Sequence, residues 1–248
     1  MRLVWKGRER DALEARAKNR SEDLLVYMAL NLFSGRQAGR NLPEKVKRDI
    51  KAFYRTIKDA QTEAQSLLFA AGNRDELMEA CGEASANGLG FLDGEHSLTI
   101  HAELVDRLPP VLRVFAGCAS QLIGDLSVAD VIKFHIQSAK LTLLMVDDFF
   151  GKVIPELRSR IKVNLRTQDI DVFEYGPGTD YQSLMYIKSR FMAADQEGYE
   201  QQVAFDRWLM GLECFDFSGY GPSAEAFCAG LSEFGLSLED VQSKAFSP

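Results

Sequence analysis

The spacing of apolar residues in this chain changes from a helical period to an alternating one and back again, and that change limits its fold more than any other feature. In "SEDLLVYMALNLF" (21–33) Leu24, Leu25, Met28 and Leu32 recur at helical spacing, with Ser21 as a capping-type start and Gly35 and Gly39 as breaks. The next stretch, 41–73, enters through Pro43, carries Val46, Ile50, Phe53, Ile57, Ala60, Ala64 and Leu67 at three- and four-residue steps, and stops at Gly72-Asn73. It reads as one long amphipathic helix. A further helix over "RDELMEACGEAS" runs into the glycine-rich turn "ANGLGFLDGEHS", and "LPPVLRVFAGCASQLIGD" gives another, entered through Pro109-Pro110. Beyond residue 130 the runs "DVIKFHIQ", "KLTLLMVDDF", "RIKVNLRTQDIDVFEY" and "SLMYIKSRF" are β-branched or aromatic and predict strands. From Tyr199 the pattern is helical again, split by "SGYGPS" with Ser223 as a helix cap. The expected class is α+β: a helical N-terminal region, a central mixed or mostly antiparallel sheet, and a helical C-terminal segment. The expected division is residues 1–100, helical and basic, and 101–248, carrying the sheet, either as two packed regions or as one compact domain.

A length of 248 residues, with 46% hydrophobic and 26% charged residues, suits a globular protein with a sizeable core. No apolar run approaches the roughly 20 residues that cross a bilayer, and the N-terminus has no apolar signal core, so a cytoplasmic location is expected. The four cysteines lie far apart without a metal-ligand spacing and are expected to be reduced, mostly buried thiols; the three histidines sit in no nucleophile motif. No catalytic residue, metal or cofactor is assigned on these grounds.

The net charge of -7 conceals an asymmetry, because residues 1–58 hold 15 Lys/Arg against 7 Asp/Glu while the remainder holds 14 against 29. A basic face of this kind suits either a phosphate backbone or an acidic protein surface. The candidate nucleic-acid contacts on the helical side are Arg36, Arg40, Lys45, Lys47, Arg48, Lys51 and Arg55. Strand alternation adds a second group: Lys133 and His135 share a side, as do Lys162, Asn164 and Arg166, and Lys188 and Arg190. Lys133, His135, Lys162 and Arg166 are therefore candidates on the sheet, although alternating polar residues also mark any solvated sheet face.

Two enzymatic readings compete. "VFEYGPGTD" (172–180) has the acidic residue and Gly-x-Gly of an S-adenosylmethionine turn, but the following segment alternates like a strand rather than opening a helix, and Pro177 withholds a backbone N–H. A hairpin or loop is the simpler reading. A metal-dependent nuclease would need carboxylates and a lysine around a cation. Asp125, Asp130, Asp147, Asp148, Asp169, Asp171 and Glu174, beside Lys133, Lys140 and Lys162, supply the residue types but no D-x(n)-E-x-K arrangement.

The blocks "SEDLLVYMALNLF", "LPEKVKRDIKAFY" with "EAQSLLFAAGN", "LPPVLRVFAGCASQLIGD", "ADVIKFHIQSAKLTLLMVDDF", "RIKVNLRTQDIDVFEYG" and "LMYIKSRF", in this order, resemble the C-terminal part of the DNA phosphorothioation-associated methyltransferase family of bacteria. The resemblance covers roughly residues 20–220 and rests on block order and local sequence. The family's methyltransferase half lies upstream of the matched part, so the companion domain alone is expected here, as a stand-alone version or a piece of something longer. The resemblance implies a non-catalytic DNA-interacting or scaffolding component of a DNA-modification or anti-phage defence system, with DNA and other subunits of that system as partners. A DNA-acting enzyme and a protein-protein interaction module for a separate methyltransferase or defence subunit are the alternatives.

Overall fold

The chain opens with a long helix, α1 (Arg2–Phe33), in the computed structural model, which describes residues 2–35, 42–176, 183–219 and 221–243, with side chains from residue 9 on. Ser21 lies inside α1 rather than capping it: the preceding alanine-, arginine- and lysine-rich turns are strong helix formers, and the Ser21 hydroxyl instead meets the Tyr54 hydroxyl at 3.0 Å. The single helix expected over 43–71 is two, α2 (Glu44–Phe53) and α3 (Ile57–Ala70). Thr56 makes the break. Its backbone is extended, its hydroxyl accepts the Asp59 N–H at 3.1 Å, and the Asp59 carboxylate accepts the Thr56 N–H at 3.1 Å. This reciprocal capping stabilises a new helix start where periodicity alone runs on.

Two further helices, α4 (Arg74–Ala86) and α5 (Pro110–Ile123), follow as the sequence predicts. The chain divides into two units, residues 1–80 with 108–121, and residues 81–107 with 122–248. The first is helical. Its buried residues include Leu24, Met28, Ala29, Ile50, Ala60, Ala64, Leu112 and Phe115. Gly117 of α5 lets α1 approach closely, since a Cβ there would lie 2.6 Å from Leu30.

The second unit carries one antiparallel sheet with its six strands in chain order: β1 (Phe91–Asp93), β2 (Ser97–His101), β3 (Val131–His135), β4 (Lys140–Val146), β5 (Leu157–Asn164) and β6 (Asp169–Glu174). The chain leaves this unit after β2, contributes α5 to the helical unit, and returns for β3. The hairpin of β1 and β2 replaces the turn expected over 86–97. Gly90 (φ +87°) enters it so tightly that a Cβ would sit 2.5 Å from the Thr99 carbonyl and 2.2 Å from Ile100. The strand expected over 183–191 is reduced to one bridge, Glu156 with Leu184, followed by a 3-10 turn over Lys188–Phe191. Three C-terminal helices, α6 (Tyr199–Met210), α7 (Ala224–Glu233) and α8 (Leu238–Ser243), complete the unit. Ser223 caps α7 as expected, accepting the Ala226 N–H at 3.1 Å. These helices share a core in which Phe205, Leu209, Phe227, Leu231 and Val241 pack with Ile154, Leu184, Tyr186 and Ile187. Among the described residues no helix is long and apolar enough to cross a membrane.

Strand register sorts the sheet into two unlike faces. One carries Leu98, Ile100, Ile132, Phe134, Leu141, Leu143 and Val163, all buried. The other carries cross-strand rows of polar residues: Thr99, Lys133, Thr142, Lys162 and Asp171 in one, and Ser97, His135, Lys140, Asn164 and Asp169 in the next. Val131, Leu144, Arg160 and Phe173 form a third row on the same face.

Candidate nucleic-acid interface

The polar face of the sheet is the floor of a cleft of about 290 Å³. Lys133 and Lys162 lie in it on either side of Thr142, two strand spacings apart, or about 10 Å between backbones. Arg160 stands two residues before Lys162 on β5 and so shares its face, about 7 Å further along the strand. The 3-10 turn supplies the opposite wall with Arg190 and Phe191, and β1 closes one end with Phe91 and Asp93.

Each of the two guanidinium groups lies over aromatic rings. Arg160 lies 4.3 Å above the Phe173 ring and 5.8 Å from that of Tyr175; Arg190 lies 5.0 Å from Phe91 and 5.6 Å from Phe191. A guanidinium over a ring gains cation–π attraction and still has N–H donors for a phosphate or carboxylate. Burial lowers the Arg190 pKa, against the opposing pull of Asp206 and Asp93.

His135 reports the local potential. Its Nε2 and the Thr142 hydroxyl share a hydrogen bond of 2.9 Å. Burial, then the charges of Lys133, Lys162, Lys140 and Arg160, push its pKa down to about 4, so the ring is neutral at physiological pH. It is a hydrogen-bonding group there rather than a cation.

The wall of the cleft is strained. Ile187 adopts φ 48°, ψ 49°, a left-handed conformation that is costly for a β-branched side chain. The turn sends Lys188 inward, where its ammonium donates to the carbonyls of Phe149 and Lys152 and lies over the Phe149 ring at 4.9 Å. Burial pulls the Lys188 pKa down to about 8, while Asp206 and Asp148 oppose that shift. Asp206 accepts the Ser189 N–H at 2.9 Å and a Gln202 amide hydrogen at 2.8 Å, fixing the turn to α6. Lys188 and Arg190, expected on one strand side, thus serve different ends: one anchors the wall and the other lines the cleft.

The other expected contacts lie elsewhere. Lys45, Lys47, Arg48 and Lys51 are on α2 of the helical unit, with Lys47 paired to Glu44 at 2.7 Å, and Arg55 is exposed in the break before α3. Arg36 and Arg40 lie outside the described residues. Arg166 belongs to the β5–β6 turn, its N–H donating to the Asn164 side chain at 3.1 Å, because β5 ends at Asn164 and the alternation ends with it. Gly176 follows β6 at φ +104°, and residues 177–180 of the glycine-rich stretch lie outside the described residues.

The carboxylates are spread over separate tasks. Asp125 caps the 3-10 turn over Leu126–Val128, Asp130 accepts the Val146 N–H at 2.8 Å, and Asp147 pairs with Lys152 and Arg158. Among the described residues no three His, Cys, Asp or Glu side chains gather as a metal site would require. Cys81 and Cys118 are buried, with burial pushing each thiol up to about 12, whereas Cys214 and Cys228 are exposed, so burial holds for only two of the four.

Arg160, Arg190, Tyr175 and Phe91 were not among the sequence candidates. Arg160 carried a usable signal, since it precedes Lys162 by the strand period of two. Arg190 carried only its alternation with Lys188, which misleads because a 3-10 turn rather than a strand positions it. Comparison with protein-family models, with curated proteins and with solved structures returns no match.

Proposed function

We propose that this chain is a nucleic-acid-contacting component of a bacterial DNA-modification or anti-phage defence system, of the kind linked to DNA phosphorothioation, and that it binds or scaffolds rather than performing the modification. One observation carries the contact: strand register gathers Lys133, Arg160 and Lys162 on one sheet face, with Arg190 across the cleft. Four cations around one concave surface suit the spaced negative charge of a phosphodiester backbone. The link to phosphorothioation rests on the sequence resemblance alone.

Binding of the purified chain to a short duplex, with and without a phosphorothioate, across a salt series tests the reading. About four phosphate contacts give a log–log salt slope of roughly -3.6, a loss on the order of a hundredfold between 50 and 200 mM salt. A complete lack of binding at low salt would refute the DNA contact and direct the search to a protein partner.

A further inference from the structure

The cleft is too small for a duplex to enter, so a duplex can meet these cations only with its backbone along the rim. At about 290 Å³ it sits at the lower end of the range of small-ligand pockets, roughly 300–1,000 Å³, and suits one nucleotide. We infer that it receives a single nucleoside phosphate unit, with the phosphate among Lys133, Arg160 and Lys162 and the flat base toward Phe91 and Arg190. This rests on the proposed nucleic-acid contact and names the unit the sheet face grips: a free nucleotide, or one unstacked from a strand or at its end.

Three independent features support a built site. First, one cleft residue carries a buried polar atom without a hydrogen-bond partner among the described residues, the Arg160 Nε. A buried donor left unsatisfied costs on the order of 1–3 kcal/mol, and an anionic or carbonyl-bearing ligand removes that cost. Second, the charge is divided along the cleft. Lys133, Arg160 and Lys162 of β3 and β5 gather at one end, whereas at the other Asp93, on β1 two strands from Lys133, offsets the charge of Arg190, so a phosphate is drawn to the first end. Asp171 faces Lys162 across the β5–β6 pair but is exposed, which weakens its competition for the lysine. Third, the end with Phe91 offers a ring and, 5.0 Å from it, a guanidinium, both of which accept the face of a base regardless of its identity. The left-handed Ile187 and the buried Lys188 hold Arg190 in this wall at a conformational cost, the usual mark of a wall kept for a ligand.

The test is a calorimetric titration of the full chain with deoxyadenosine 5′-monophosphate, beside inorganic phosphate and unphosphorylated deoxyadenosine, and with Lys162→Gln and Phe91→Ala variants checked for the parent thermal transition. The nucleotide should bind at least tenfold more tightly than either fragment, and each variant should weaken it about tenfold or more. Saturable nucleotide binding that neither variant alters would overturn the site, as would no binding at all. A single-stranded trinucleotide and a blunt duplex, added as competitors, separate the sources. Displacement by the single strand assigns the site to strand ends or unstacked nucleotides, and nucleotide binding without displacement by either polymer assigns it to free nucleotides and defeats the proposed DNA contact. Duplex binding that persists while the nucleotide neither binds nor competes overturns the cleft assignment and leaves the DNA contact standing.

Discussion

His135 shows how a single residue records the charge of its surroundings. With a folded pKa near 4 and an unfolded value near 6.5, the unfolded chain takes up a proton between those limits that the folded chain refuses. Its contribution to stability is therefore constant above pH 6.5 and falls as the pH drops from 6.5 toward 4. Chemical denaturation at a series of pH values should show that decline, and His135→Gln, which keeps a hydrogen-bonding group beside Thr142, should flatten it in this window. An unchanged slope would mean that the ring is not held neutral. The same residue marks what alternation reveals. Lys133 with His135, and Lys162 with Asn164, were readable as sharing a side of their own strands because β3 and β5 keep strict period two over them, and only the register through β4 makes the two sides one face; Arg166 was misplaced because nothing in its immediate sequence says that β5 stops at Asn164.

Among the elements, the hairpin of β1 and β2 matters most, because it brings Phe91 and Thr99 to the cleft. It was illegible in the sequence for a physical reason: β1 is three residues long, lies between glycines, and gains its strand character from pairing rather than from its own propensity. Gly90→Ala tests that pairing. The added methyl meets the Thr99 carbonyl and Ile100 at a φ that alanine avoids, so unfolding should become easier by about 2–3 kcal/mol. A stability loss of a few tenths would indicate that β1 is not held where it is described. The break between α2 and α3 teaches a related lesson. Hydrophobic spacing continues through residues 50–60, and only the local Thr56–Asp59 exchange, four residues in extent, divides the helix. The α+β class itself was legible because the long helices and the strands after residue 130 each repeat their period several times.

At the scale of the whole molecule, the basic excess of the first 58 residues and the cationic cleft belong to different units. The helical unit carries Lys45, Lys47, Arg48 and Lys51 on α2; the sheet unit carries Lys133, Arg160, Lys162 and Arg190 within an otherwise acidic stretch. Net charge points to the first group, whereas the convergence of register, cation–π contact and burial points to the second. Equilibrium binding of one short duplex to two charge-reversed variants, Lys133→Glu/Lys162→Glu and Lys47→Glu/Arg48→Glu, each across a salt series, separates them. If the sheet face is the contact, the first variant should flatten the log–log slope by about 1.8 and lose most low-salt affinity, while the second stays near the parent. The reverse pattern, with the α2 variant flattened and the sheet variant unchanged, would contradict the account and move the footprint to the helical unit.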